Sequence, residues 1–142
     1  MSLNHASRNS SLLCVKDLKV HFPIRGGRFG RTTGFIKAVD GVSFEIMQGE
    51  TLGLVGESGC GKTTIGMTLM GLLPENARIL SGSIGFENKD LTQLTEAQWR
   101  NTRGREVAMI FQAAMNALNP VMRVDEQVIE AIVTHQPDIL PE

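Results

Sequence analysis

Residues Gly56 to Thr64 read GESGCGKTT, a match to the G-x-x-x-x-G-K-[ST] pattern of a phosphate-binding loop. The chemistry such a stretch offers is electrostatic. Glycines at 56, 59 and 61 admit backbone angles closed to other residues and let successive N–H groups converge on one anion. A helix beginning near Lys62 adds its unpaired first-turn N–H groups and the positive end of its dipole. Lys62 supplies a mobile full charge for β and γ phosphates, and the Thr63 hydroxyl stands where a Mg²⁺ ligand is needed. A nucleoside triphosphate with its magnesium is the expected ligand.

The elements that must position this loop are readable on both sides of it. Directly before it, Thr51 to Val55 (TLGLV) has the character of a buried strand. Directly after it, Ile65, Leu69, Leu72 and Leu73 recur at helical spacing over Lys62 to Leu73, with Pro74 as the stop. The front of the chain is β-rich: Leu12 to Phe22 alternates as a strand, and Phe35 to Val39 and Val42 to Met47 are two more, with Asp40 and Gly41 as a turn. Between them Pro23 to Gly34 (PIRGGRFGRTTG) reads as a loop whose Arg25, Arg28 and Arg31 form a solvated surface. Further on, Arg78 to Phe86 reads as a strand. Thr95 to Arg103 reads as a helix with Thr95 at the N-cap and Gln98 at the capping-box position. Val107 to Phe111 (VAMIF) has the pattern of a strand buried on both faces, and Gln112 stands at its end. Val124 to His135 places Val124, Val128, Ile129, Ile132 and Val133 on one helical stripe.

The chain has 142 residues, 42% of them hydrophobic, and a net charge of −1, the composition of an ordinary globular domain. Nothing in that balance calls for nucleic acid as a partner. No apolar stretch approaches the roughly 18 residues a membrane-spanning helix needs, and Met1 to Ser11 lacks the apolar block of a secretion signal. A cytoplasmic location is expected. The two cysteines, Cys14 and Cys60, make no disulfide framework. Cys60 reads as a reduced thiol whose backbone does the work, although a helix N-terminus can lower a thiol pKa and open it to alkylation that ATP would block. His5, His21 and His135 lie in no catalytic or metal-ligand pattern and read as surface or structural residues.

Taken together, VKDLKVHF, KAVDGVSFEIMQGETLGLVGESGCGKTT and IFQAAMNALNP resemble the ATP-binding subunits of ABC transporters, closest to the oligopeptide and dipeptide uptake branch. The resemblance covers roughly Leu12 to His135. It implies an α/β fold of the P-loop NTPase type, with an antiparallel β subdomain and an incomplete parallel sheet core carrying the P-loop helix. The organisation implied is a disordered N-terminus over 1–11 and the N-terminal part of one nucleotide-binding domain over 12–142. That part divides into a β-rich lead (12–55), the loop and its helix (56–73), strands and a helix (74–111), and the glutamine loop with the start of a helical subdomain (112–142).

Carried over by position, the backbone N–H groups of Glu57, Ser58, Gly59, Cys60, Gly61, Lys62, Thr63 and Thr64 would hold the phosphates of ATP. Gln112 would be the glutamine that approaches Mg²⁺ and the attacking water. Phe22 resembles the aromatic that stacks on adenine, with a plain core role as its other reading and Phe35 as the competing aromatic. The implied partners are membrane subunits docked near Gln112 and a second ATP-binding subunit, identical or different. Through them the protein would sit on the inner face of the cell membrane.

Two departures limit what the resemblance implies. Ala113 and Ala114 stand where many relatives have an acidic residue and proline, which weakens inference about the solute. The LSGGQ-like signature, the strand ending in Asp and a catalytic Glu, and the switch histidine are absent from the 142 residues, so efficient turnover by this chain is not expected. Two other readings remain open: a truncated, non-catalytic nucleotide-binding or interaction module, and a stand-alone P-loop enzyme of the kinase or GTPase type. Leu52 to Val55 would also lack parallel neighbours. An isolated chain should then be marginal, oligomeric or stabilised by an associated remainder.

Overall fold

A computed structural model of the chain describes residues 11–26, 31–111 and 118–136. It forms two compact units, Met1–Leu94 and Thr95–Glu142. In the first, the alternating residues after Ser11 build β1 (Ser11–Gly26), which pairs antiparallel with β2 (Arg31–Met47) on one side and β3 (Arg78–Phe86) on the other. A two-residue β4 (Lys89–Asp90) gives the sheet order β2-β1-β3-β4. Asp90 then caps a single 3-10 turn, Leu91–Gln93, by accepting from the Thr92 N–H. Val15, Leu18, Val20, Val39 and Ile84 are buried in the sheet, and Ile65 of α1 (Lys62–Leu69) is buried against it.

Several elements differ from the sequence reading. Ser11, expected in the disordered N-terminus, opens β1, and residues 1–10 lie outside the described set. Most of Pro23 to Gly34 is strand rather than loop, because the β1–β2 ladder continues through Pro23↔Phe35 and Gly26↔Arg31. Pro23 is tolerated because the β3 ladder has already ended at His21↔Arg78, so β1 is paired on one side only there. Asp40 and Gly41 do not reverse the chain. Gly41, at φ 82, is passed over between Leu18↔Val42 and Lys19↔Asp40, a bulge inside one continuous β2.

The P-loop helix also ends early, at Leu69 rather than Leu73. Gly71 at φ 61 closes it, with its N–H on the Thr68 carbonyl (3.0 Å) and the Leu72 N–H on the Met67 carbonyl (2.8 Å), the paired bonds of a Schellman stop. The two expected parallel strands do not form. Leu52, Leu54 and Val55 are exposed and unpaired, Val55 at 92%. Ile110 is 94% exposed, and Val107 makes only an isolated parallel bridge to Arg103. Apolar runs of this kind need a strand on each side to bury both faces, and no described segment supplies one.

In the second unit, Thr95 and Gln98 form the expected capping box of α2 (Glu96–Thr102). Trp99 and Thr102 are buried, and the Arg103 guanidinium lies 5.0 Å over the Trp99 ring while pairing with Glu96 at 2.9 Å. α3 spans Val124–His135 as expected, but none of its residues is buried and Val124, Val128, Ile129 and Ile132 remain exposed. Gln127 ties its first turn to the preceding segment by bonds to the Asn119 N–H (2.8 Å) and the Asn119 and Met122 carbonyls (3.1 Å each).

Candidate phosphate-binding site

The loop becomes a helix at Gly61. Gly61 is the N-cap at φ 95, ψ 2, a left-handed conformation, and the Ile65 N–H closes the first helical bond onto its carbonyl at 2.9 Å. No side chain caps this end, and the first turn carries no acidic residue. The first-turn N–H groups of α1 are therefore left for an external acceptor, with no acidic side chain of that turn competing for it. Space matters at Gly61 as well as conformation: a Cβ there would overlap the Ala38 carbonyl oxygen and stand 3.6 Å from Val39 Cγ2.

Ala38 is the residue passed over between Val20↔Val39 and His21↔Lys37. This bulge aims a β2 carbonyl at the end of the loop. Gly59 is left-handed too, at φ 83. Gly56 departs from expectation, since it has no positive φ. A Cβ there would sit 2.5 Å from Sγ of the exposed Cys60, which would have to move aside.

Lys62 reaches back across the loop. Its ammonium donates to the Gly56 carbonyl at 2.7 Å and the Glu57 carbonyl at 2.8 Å, and meets Cys60 Sγ at 3.3 Å. The Cys60 N–H donates to the Glu57 carbonyl at 3.3 Å. A cation is thus held over the cradle by the loop itself. The Lys62 hydrogen bond draws the Cys60 thiol below the ordinary cysteine range, against the smaller opposing effect of desolvation. Cys14 moves the other way, because its hydrogen bond to Glu45 at 3.2 Å favours the protonated thiol. Both cysteines are free.

Ser58, Thr63 and Cys60 are exposed, and Thr64 is half-buried. The buried Thr68 spends its hydroxyl on the Thr64 carbonyl at 2.6 Å, whereas the Thr63 hydroxyl has no hydrogen bond among the described residues. No group of three or more His, Cys, Asp or Glu side chains gathers among the described residues to hold a metal. The donor set thus suits a magnesium ion that arrives with phosphates and takes one hydroxyl from the protein, not one caged by carboxylates.

The two candidate aromatics fall on opposite faces of the sheet. Phe22 pairs with Ile36 and lies two residues from Val20, so it shares the face of Val20 and Val39, the face that meets Gly61. Phe35 pairs with Pro23 and packs on His21, with ring centroids 6.3 Å apart, on the other face. His21 is buried, its Nε2 3.5 Å from Asp40 Oδ1 and without a hydrogen bond among the described residues, and Lys37 holds the Asp40 carboxyl below the usual range. Gln112, with Ala113 and Ala114, lies outside the described residues. Ala38 and Val39, which support the loop, carry no sequence signal that would single them out.

The ABC transporter family model matches residues 39–139. A dipeptide transport ATP-binding protein of Bacillus subtilis is 44% identical over 126 residues, covering 88% of this chain and 36% of the relative. An oligopeptide transport ATP-binding protein of the same organism is 45% identical over 128 residues, covering 89% and 37%. A dipeptide transport ATP-binding protein of Haemophilus influenzae is 44% identical over 126 residues, covering 89% and 36%. The chain thus spans little more than a third of the length of the relatives it matches. No helix among the described residues is long and apolar enough to cross a membrane. With a P-loop at the start of α1, an antiparallel lead before it and a family match across most of its length, the chain belongs to the ABC transporter family and carries part of its ATPase domain.

Proposed function

We propose that this chain is the ATP-binding portion of an ATPase subunit that energises import of peptides or similar solutes. The observation that carries the reading is the uncapped, acid-free start of α1 with the Lys62 ammonium held over the loop at 2.7 and 2.8 Å from its carbonyls. The N–H groups of Glu57 to Thr64 hold the phosphates, Lys62 neutralises their charge, and Thr63 gives its hydroxyl to magnesium. Phe22 stacks on adenine from the Val39 face, and Gln112 positions water and metal. Bound magnesium would screen the phosphate charge.

Binding, not turnover, is the role assigned to these 142 residues. In-line attack needs a positioned water and neutralised transition-state charge, tasks that in this reading fall to Gln112, Lys62 and Thr63 with its metal alone. The parent subunit works in the cytoplasm against membrane subunits near Gln112, paired with a second ATP-binding subunit. The names of the relatives, dipeptide and oligopeptide transport ATP-binding proteins, support the choice of solute. Calorimetric titration of the chain with ATP and Mg²⁺ should give saturable binding, and a flat titration would overturn the nucleotide role. Cells lacking the gene should lose uptake of a labelled dipeptide; unchanged uptake would remove peptides from the proposal.

A further inference from the structure

We propose that the cleft between the Pro23–Arg25 end of β1 and the Glu75–Arg78 turn binds a zwitterion, a free amino acid or a short peptide with both termini free. The cleft, about 670 Å³, is lined by Pro23, Arg25, Glu75, Asn76 and Arg78, a volume in the roughly 300–1,000 Å³ range of small-ligand sites. Its charges are of both signs and are not spent on each other. The side chains of Arg25, Glu75 and Asn76 make no ion pair or hydrogen bond among the described residues.

One wall is braced. The Ala77 N–H closes the turn onto the Pro74 carbonyl at 2.8 Å. Arg78 Nη1 donates to the Glu75 carbonyl at 2.7 Å and the Ala77 carbonyl at 3.0 Å. That fixes the Arg78 guanidinium on the turn and leaves its remaining donors for a ligand carboxylate. Arg25 reaches the cleft from the β1 end, beyond the last β1–β3 pair, His21↔Arg78.

Charge decides the ligand class. A purely anionic ligand would meet the Glu75 carboxylate, and a purely cationic one would meet two guanidinium groups. A molecule with a carboxylate at one end and an ammonium at the other satisfies all three, while Asn76 offers an amide to whatever joins them. None of the residues lining the cleft belongs to the Gly56–Thr64 loop, and the proposal does not rest on the nucleotide reading.

The test is calorimetric titration of the full chain with alanine, dialanine, N-acetyl-dialanine and inorganic phosphate. Alanine or dialanine should bind saturably, and the tighter of the two names the ligand as an amino acid or a peptide. N-acetyl-dialanine, which lacks the ammonium, should bind at least about tenfold more weakly, the loss expected for one charged hydrogen bond. Arg25→Ala should weaken binding by a similar factor, and Glu75→Gln should abolish the preference for a free ammonium. Arg78→Ala should also weaken binding. If that variant loses the turn it braces, Arg25→Ala and Glu75→Gln, both on exposed side chains, carry the test alone. No heat from alanine or dialanine, phosphate binding as tightly as they do, or full affinity in Arg25→Ala overturns the proposal. ATP titrated in parallel reports the phosphate cradle, so failure at one site is not mistaken for failure at the other.

Discussion

Replacing Lys62 by alanine should weaken Mg²⁺-ATP binding by about ten- to a hundredfold. An ammonium has three protons to donate. Two are committed to the Gly56 and Glu57 carbonyls at 2.7 and 2.8 Å, and the third points to Cys60 Sγ at 3.3 Å. Sulfur is a weak acceptor, so an arriving phosphate oxygen can replace it at little cost while both carbonyl bonds persist. The gain is then close to one full charge-assisted hydrogen bond, ~1.5–3 kcal/mol, and each ~1.4 kcal/mol is a factor of ten in affinity. The assay is calorimetric titration at one fixed ionic strength, because exposed charge interactions weaken with salt. Thermal unfolding of both proteins in the same buffer shows that the variant is folded when titrated. An affinity equal to that of the unaltered chain would refute the placement of Lys62 at the phosphates.

Gly61→Ala should lower stability by more than ~2 kcal/mol in urea unfolding, since the left-handed conformation alone costs an L-residue ~1–2 kcal/mol and the new methyl overlaps the Ala38 carbonyl. Unaltered stability together with unaltered ATP binding would contradict the packing of the loop on β2. Cys60 should react with iodoacetamide at lower pH than Cys14, because Lys62 holds the Cys60 thiol below the ordinary range and Glu45 holds the Cys14 thiol above it. A lowered pKa means more thiolate at any given pH. Lys62→Ala should therefore move the Cys60 profile to higher pH, and ATP should slow its labelling; mass spectrometry that finds the two cysteines equally reactive would refute this. Val55 and Ile110, 92% and 94% exposed on unpaired apolar runs, should make the isolated chain self-associate as concentration rises in sedimentation velocity. A concentration-independent monomer that unfolds cooperatively would count against it.

Local signals carried much of the fold. Thr95 and Gln98 announce α2 because both halves of a capping box lie within one turn, and the bounds of β3 and α3 follow from periodicity between turn residues. At the loop, the glycine spacing points to backbone angles closed to other residues, which Gly59 and Gly61 adopt and Gly56 does not. Local pattern misleads where the deciding partner is distant. Pro23 and four glycines look like a loop until β1 is known to have lost β3 and kept β2 at that point. The helix stop at Gly71 is a local signal three residues ahead of the more conspicuous Pro74. The apolar runs before the loop and before Gln112 report a demand for burial on both faces, but periodicity cannot say whether the chain itself meets that demand.

Those unmet runs bear on what holds the cradle in place. The strand expected to brace the loop from behind is exposed and makes no ladder, so the loop is braced from its helix end, where Gly61 rests on Ala38 and Val39. That support depends on the bulge at Ala38, which turns its carbonyl toward Gly61 and sets which β2 side chains share a face with Phe22. Shifting the β1–β2 register by one residue would carry Phe22 to the opposite face and withdraw the Ala38 carbonyl from the loop in the same step. On the roles proposed for the loop and for Phe22, phosphate binding and adenine stacking would then be coupled through one irregularity in the β1–β2 pairing. A substitution that regularises β2 at Ala38 should damage both, although it touches neither ligand.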